Sequence, residues 1–487
     1  MSLGHAVSWT LVPFLTQPNA PLDTLEMLYW GHEWEWGYYK HPPLPAWIAE
    51  TMCLLFGRSI WPTYVAAQIC VITCFWAAWR LGREFLPPWP ALCAAFLLEA
   101  CYFYNFTTVE LNNNVVSRTF WALSILFFYR ALTRENNRWW IAAGGSIALG
   151  MLSKYDVAIL AVTMMGFSVL HPLARQRWRT AGPYLGIASA LVILMPHLLW
   201  LVANDFPTVA YFRSRSADHR GWASHVVNPL KFLASQLGAV LPIVLLATPL
   251  IAGWRLKPLA SPERFRTFFL CTMVIGPIAL IVALSGLLGF TVRSMWGTAL
   301  WSYAGLLLLV MVPLREEIAA SKRVLSLSVL WMGLFLVALG IRNTTVPHLR
   351  HTASRIHYPG QKLATRVDQI WRTVSDQPLS VVAGDWWPAA NVAFYASSRA
   401  SVYAGLDPAK SPWMTDGQFA ESGGVIVWRP TSQDHDPVWL SVQRRFPAAV
   451  VHDSGALTWE TSADIEPVHC RIALVPPPMP SQRTAQH

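Results

Sequence analysis

Charge is what this 487-residue chain has least of. Only 13% of its residues are Asp, Glu, Lys or Arg, against 54% that are hydrophobic. Soluble globular domains carry about 25% charged residues, so a string of water-soluble domains is excluded. Cysteine is sparse as well: of seven, Cys53, Cys70, Cys74, Cys93, Cys101 and Cys271 lie in or beside apolar runs, and Cys470 stands alone in the tail. None has zinc-ligand spacing, and no structural disulfide is expected. A P-loop and a glycine-rich dinucleotide fingerprint are both missing. Each of these is a way of gripping a nucleotide phosphate or its metal, so a nucleotide-linked substrate is disfavoured.

What the chain does have is long uncharged runs near the roughly 20 residues that cross a bilayer. Eleven spans are expected, at about 3–16, 61–80, 88–105, 112–132, 139–152, 155–171, 183–202, 231–253, 267–289, 295–313 and 324–341. The first reads as a membrane helix rather than a cleaved leader. The 26 Trp and 14 Tyr suit rings that favour the lipid–water boundary. The net charge of +10 reflects loops rather than a nucleic-acid footprint. Arg80 and Arg83, then Arg130, Arg134 and Arg138, then Arg175, Arg177 and Arg179, then Arg255, Lys257, Arg264 and Arg266, then Arg315, Lys322 and Arg323 occupy every second loop. Basic loops stay in the cytoplasm. Residues 17–60, 106–111, 153–154, 203–230, 290–294 and everything past 342 are therefore expected outside. The expected architecture is an all-α polytopic bundle over 1–344 with a long exterior loop, 17–60, followed by a small exterior α/β domain, 345–487. In that domain Leu379–Val382 and Val425–Trp428 read as strands and 361–374 as a helix, with a disordered end from Pro476.

The first exterior loop is richest in chemistry. Asp23 and Glu26 are spaced i, i+3 and share one face of a helical turn. A carboxylate there acts either as a general base or simply as a helix cap. The loop continues through Gly37-Tyr38-Tyr39-Lys40-His41-Pro42-Pro43-Leu44 into an apolar stretch, 44–56, that holds Glu50 and reads as an interfacial helix. The prolines fix the backbone beside Lys40 and His41, where a cation serves either a lipid phosphate or the solvent. Glu110, Asn112 and Asn114 fall at the outer mouth of the fourth span, suited to sugar hydroxyls or to hydration of a helix end. Lys154 and Asp156 flank an outer turn and either serve a ligand or pair with each other; Glu99 and Arg118 fall within spans. Arg213, Arg215, Arg220 and Arg293 lie outside, against the positive-inside pattern. Guanidinium grips phosphate through paired hydrogen bonds.

An acid after the first span, followed by GYYKHPPL before an interfacial helix, resembles the GT-C superfamily of membrane glycosyltransferases. The likeness is to bacterial relatives of protein O-mannosyltransferases, a group that includes lipid A aminoarabinose transferases and rhizobial lipopolysaccharide galacturonosyltransferases. LNNNVVSRTFWALSILFFYRAL (111–132) and GMLSKYDVAIL (150–160) add to it, and the pattern covers about 12–340. In the family an Asp-Glu-x-x-Tyr pattern precedes Gly-Tyr-x-x-Pro-Pro-Leu. Asp23 takes the place of the family's aspartate, but Thr24 follows it and an acid returns only at Glu26. The resemblance implies a base or acceptor-positioning role for Asp23, with Glu26 and Glu110 as further candidate acids. It places His41, or its neighbour Lys40, near the donor phosphate.

The implied reaction moves a sugar from a polyprenyl phosphate to an envelope glycolipid, polysaccharide or protein on the outer face of a bacterial inner membrane. Lys40, His41, Arg213, Arg215, Arg220 and Arg293 would hold the phosphate, and Tyr38, Tyr39, Asn112, Asn114 and Lys154 would contact sugar or acceptor. No cofactor is required and no nucleic-acid partner is expected; a divalent ion at Asp23 and Glu26 is an open alternative. Two rival readings are a flippase for a lipid-linked saccharide, whose mark would be paired repeats and ionisable groups at mid-membrane, and an envelope assembly protein whose tail docks sugar through Trp386, Trp387 and Trp413.

Overall fold

In the computed structural model, residues 1–217, 221–257, 261–430 and 436–478 are described. The chain divides into two compact units. One comprises Met1–Leu11, Lys40–Pro45 and Tyr64–Leu339; the other comprises Val12–Tyr39, Ala46–Thr63 and Gly340–His487.

The first unit is helical. Six helices in the described chain are long and apolar enough to cross a membrane: Trp61–Gly82, Asn113–Thr133, Gly182–Ala203, Gly221–Leu250, Glu263–Leu288 and Ile318–Thr344. The protein is a multi-pass membrane protein, but the expected eleven continuous spans are not all found. The expected spans at 139–152 and 155–171 are helices of 14 residues each, Arg138–Met151 and Val157–Leu170. The expected span at 295–313 is a short 3₁₀ turn followed by the helix Ala304–Met311. The span expected at 88–105 is bent by 91° between Pro88–Ala100 and Tyr102–Val109. Asn105 explains the end of that helix. Its side chain donates to the Glu99 carbonyl at 2.5 Å and accepts from the Phe106 amide. Such local bonds offer the backbone an alternative to the helical ladder. Beside this break Glu99 is buried against His5, Oε1 to Nδ1 at 2.7 Å, and His5 Nε2 meets Gln68 Oε1 at 3.0 Å.

Lipid tails are as apolar as leucine, so membrane helices associate through close packing of small residues. Gly144 and Gly186 are such a pair: a Cβ on Gly144 would lie 1.9 Å from the Gly186 carbonyl oxygen. The core proper is built on Phe75, Trp121, Phe128 and Phe269, each at most 2% exposed.

The second unit carries a five-stranded sheet in the order β2-β1-β3-β5-β4, with β1 Val381–Gly384, β2 Ser401–Ala404, β3 Gly424–Trp428, β4 Val450–Asp453 and β5 Arg471–Val475. β1 pairs parallel with β2 and β3; β5 runs antiparallel to β3 and β4. β1 and β3 are buried along their whole length, as expected for central strands rich in Val and Ile. Two of the five strands, β1 and β3, and the helix Gly360–Trp371 overlap the stretches the residue pattern marks; β2, β4 and β5 fall outside those stretches. The proline-rich end beyond Pro478 lies outside the described residues. All seven cysteines are free.

This unit also gathers part of the segment 17–60 that follows the first helix. The helix Leu22–Glu33 packs on the helix Trp386–Tyr395, where Tyr29 meets Trp386 with ring centroids 6.4 Å apart. The Asn19 amide donates to the Ile356 carbonyl, and Arg58 donates to the carbonyls of Ala396 and Ser398. Buried Glu50 of the expected interfacial helix, Leu44–Phe56, forms an ion pair with Arg399.

Candidate active site

The prolines of the Lys40–Pro45 segment prevent it from continuing a helix, and the Leu44 amide ties it to the Leu152 carbonyl at 2.9 Å. Lys40 Nζ lies 5.9 Å from the centroid of the Tyr211 ring, and His41 meets the same ring edge-on at 6.2 Å. Burial, then the charges of Lys154 and Lys40, push the His41 imidazole down to about 3. At neutral pH it is an uncharged hydrogen-bonding group, so the positive charge here belongs to the two lysines.

Lys154 is fixed from two sides. Its ammonium lies 2.8 Å from Asp156 Oδ2 and donates at 2.8 Å to Asn114 Oδ1. Both members of the pair are largely buried, with side-chain exposures of 12% and 14%. Asn114 is the second residue of a well-capped helix, Asn113–Thr133: Asn112 accepts from the amides of Asn114 and Val115, and Asn113 donates to the Ser153 carbonyl. Asn112 is thus a cap, while Asn114 orients a cation. Below them Arg118 is fully buried, donating from Nε to the Asn114 carbonyl and lying over the Tyr104 ring at 5.3 Å. Glu110 is half-buried in extended backbone just before this cap. The structure therefore brings together Lys40, His41, Asn112, Asn114 and Lys154. Beside Lys154, Tyr155 pairs its hydroxyl with His197 Nε2 at 2.7 Å, a contact no sequence pattern signalled.

Two of the arginines share a helix with Tyr211. Arg213 and Arg215 are exposed on the helix Pro207–Ser216. The Thr291 amide ties the loop carrying Arg293 to Ser216, and Arg293 Nε is buried without a hydrogen-bond partner among the described residues. Arg220 lies outside the described residues.

The other two candidate acids, Asp23 and Glu26, belong to the second unit. Asp23 is half-buried in the first turn of Leu22–Glu33, and Glu26, three residues on, is 6% exposed. The cap residue is Pro21, so Asp23 is not the N-cap; being in the first turn, it still faces the positive end of the helix dipole. Tyr29 follows, its hydroxyl held far above the ordinary tyrosine range by burial, then by Glu26 and Tyr39. Tyr38 is fully buried, stacks on Trp30 at 4.9 Å and donates to the Trp30 carbonyl at 2.6 Å, which makes it a packing residue. Tyr39 is half-buried, edge-on to Trp30.

Sequence reasoning missed Glu33. Burial raises its carboxyl to about 7; the negative charges of Glu35 and Glu50 push the same way, against a Ser401 hydrogen bond and Arg399. Only the fold supplies these neighbours. Among the described residues no three His, Cys, Asp or Glu side chains form a metal-binding group.

Residues 40–200 match the family model of dolichyl-phosphate-mannose-protein mannosyltransferases. The chain is 24% identical over 271 residues to lipid A galacturonosyltransferase RgtD of Rhizobium johnstonii, covering 54% of each chain. It is 26% identical over 258 residues to the lipopolysaccharide core galacturonosyltransferase RgtB of the same organism, covering 51% of each. The chain thus spans about half the length of the curated relatives it matches. Its fold is similar to that of ArnT from Cupriavidus metallidurans, solved with undecaprenyl phosphate bound, at a TM-score of 0.64, 13% identity and 97% coverage of both chains. By sequence over residues 40–200 and by fold, the chain resembles the membrane glycosyltransferases of the GT-C superfamily.

Proposed function

We propose that this protein is an inner-membrane glycosyltransferase that moves a sugar from a polyprenyl phosphate to an envelope glycolipid on the periplasmic face. The observation that carries this reading is the arrangement at Lys154. An ammonium aligned by Asn114 and Asp156, beside Lys40 and a neutral His41, suits an anionic leaving group that presents itself at the membrane surface. The positive-inside pattern favours a cytoplasmic N-terminus and an exterior tail domain. The named activities of the relatives make a hexuronosyl unit the first sugar to try and a lipid A or core glycolipid the first acceptor.

The chemistry is a single displacement. The acceptor oxygen bonds to the anomeric carbon as the bond to the phosphate oxygen breaks, and polyprenyl phosphate leaves with the electron pair. Lysine ammonium groups stabilise the charge that grows on that phosphate. Asp23 takes the hydroxyl proton in this scheme, with Glu26 and then Glu110 as the next acids.

Mass spectrometry of envelope glycolipids from a strain lacking the gene tests the reading. The expected result is loss of one sugar from a glycolipid, restored by the wild-type gene and not by Lys154→Ala. An unchanged glycolipid profile, with the intact lipid-linked sugar trapped on one side of the membrane, would replace the transferase with a flippase.

A further inference from the structure

The helix Asn113–Thr133 has Asn114 near one end and Arg130 at the other. Around the Arg130 end of the first unit opens a second cavity, of about 1400 Å³ including its mouth. Its lining comes from three of the loops that carry the basic pattern. One wall is apolar, with Trp89, Pro90, Leu309 and Val310; Lys257, Arg266 and Arg315 line it as well. The loops that carry Lys257 and Arg315 are tied to each other. Loop segments 250–257 and 311–315 are laced together by the Lys257 amide to the Met311 carbonyl, the Ala252 amide to Pro313 and the Arg315 amide to Leu250, each at 2.9 Å. Arg315 Nε adds a bond to the Ile251 carbonyl at 3.3 Å, and Arg266 lies over the Phe85 ring at 6.0 Å.

The charges do not cancel locally. Lys257 has Glu263 at 3.4 Å. Arg266 and Arg315 have no carboxylate within ion-pair distance among the described residues. Glu316 also lines the cavity and, like Arg315, is exposed. Two guanidinium groups beside an apolar wall, at the basic end of a membrane bundle, ask for a ligand with a phosphate head and hydrocarbon chains. Basic pockets between membrane helices recognise such headgroups, and guanidinium holds phosphate oxygens in pairs. A free phosphate would leave the apolar wall uncovered, and a zwitterionic lipid would bring its own cation to the arginines.

From this cavity we infer that the protein carries a site for an anionic diacyl phospholipid, remote from the Lys154 cluster and independent of the proposed reaction. Native mass spectrometry of the full-length protein, titrated with cardiolipin, phosphatidylglycerol or phosphatidylethanolamine, tests it. One or two anionic lipids should remain bound in preference to phosphatidylethanolamine. R266A/R315A should weaken that binding by about 25-fold, about fivefold per cation, while R266K/R315K keeps most of it. Because the folded ion is selected by its low charge states, loss of fold is not mistaken for loss of lipid. R175A/R179A, in a different basic loop, should leave binding unchanged. Equal retention of phosphatidylethanolamine, equal loss in both alanine pairs, or a thermal shift reproduced by inorganic phosphate alone would each overturn the site.

Discussion

The two compact units divide one sequence motif between them and treat its charges differently. Lys40 and His41 fold with the membrane helices, whereas Asp23, Glu26, Glu33 and Glu50 fold with the sheet-bearing unit. In the first, a lysine is held by a carboxylate and an amide, and a histidine is kept neutral. In the second, burial crowds carboxylates until one is raised to about 7, with Arg399 compensating another. The first unit thus holds an aligned ammonium beside a neutral imidazole, and the second holds carboxylates that burial keeps protonated or pairs with arginine. A linear motif read as one stretch is divided between two units, each with its own supports.

The largest expected effect breaks the exterior half. Asp23→Asn should lower turnover by about 10²–10⁴-fold with little change in donor binding, the sign of a transition-state role. Glu26→Gln should cost less. If turnover instead survives Asp23→Asn and fails in Glu26→Gln, the two roles are exchanged; if both survive, Glu110 is the next acid to test.

Breaking the membrane half should separate binding from folding. Lys154→Ala leaves Asp156 without its ammonium, a loss of order 3 kcal/mol for a buried pair, and should weaken donor binding as well. Adding Asp156→Asn should restore the unfolding temperature in detergent but not the donor affinity. Recovery of both would make the pair purely structural. Within the same half, Lys40→Ala should weaken donor binding more than His41→Ala, because the imidazole is uncharged; titration with lipid donor reads the difference.

Glu33 offers a smaller, pH-dependent contrast. Its folded pKa of about 7 lies above the ordinary carboxyl value of 4.5. A raised pKa means the folded state binds more protons than the unfolded state between those values. The associated stability is therefore complete below about 4.5 and lost as pH rises through about 7. The unfolding temperature of wild type should fall from pH 5 to pH 8 relative to Glu33→Gln, and the gap between them should vary with pH. A constant gap would show that Glu33 does not titrate there. The orientation of the exterior half is checked by a cysteine placed at Ser422, which should react with an impermeant reagent in intact cells whose outer membrane is permeable; labelling only after the inner membrane is opened would reverse the topology.

Much of the architecture was legible because it rests on local pattern. Hydrophobic runs mark the long helices, and the Val- and Ile-rich stretches at 381–384 and 424–428 mark central strands. The broken span was hidden because a single polar side chain, Asn105, redirects hydrogen bonds inside an otherwise apolar run. Lys154 and Asp156 stood out as ionisable groups at an outer turn, but Asn114 as their third member is set by the packing of two helices. Glu50 and Arg399 are 349 positions apart, and nothing in either neighbourhood announces the pair. Tyr38 sits in the motif that carries the family resemblance, yet its ring serves the core. The likeness marks where chemistry is arranged and does not say which member touches substrate.

The central claim is that this chain transfers a lipid-linked sugar. The direct measurement is transfer by the purified full-length protein in detergent, from polyprenyl-phosphate galacturonate to lipid A, followed by mass spectrometry of the acceptor. Wild type should add one hexuronosyl unit per acceptor site and release polyprenyl phosphate in equal amount, and Asp23→Asn should bind the donor without releasing it. Tight donor binding by wild type with no transfer to lipid A, core glycolipid or any envelope acceptor, and with no other polyprenyl-phosphate sugar used in its place, would contradict the account.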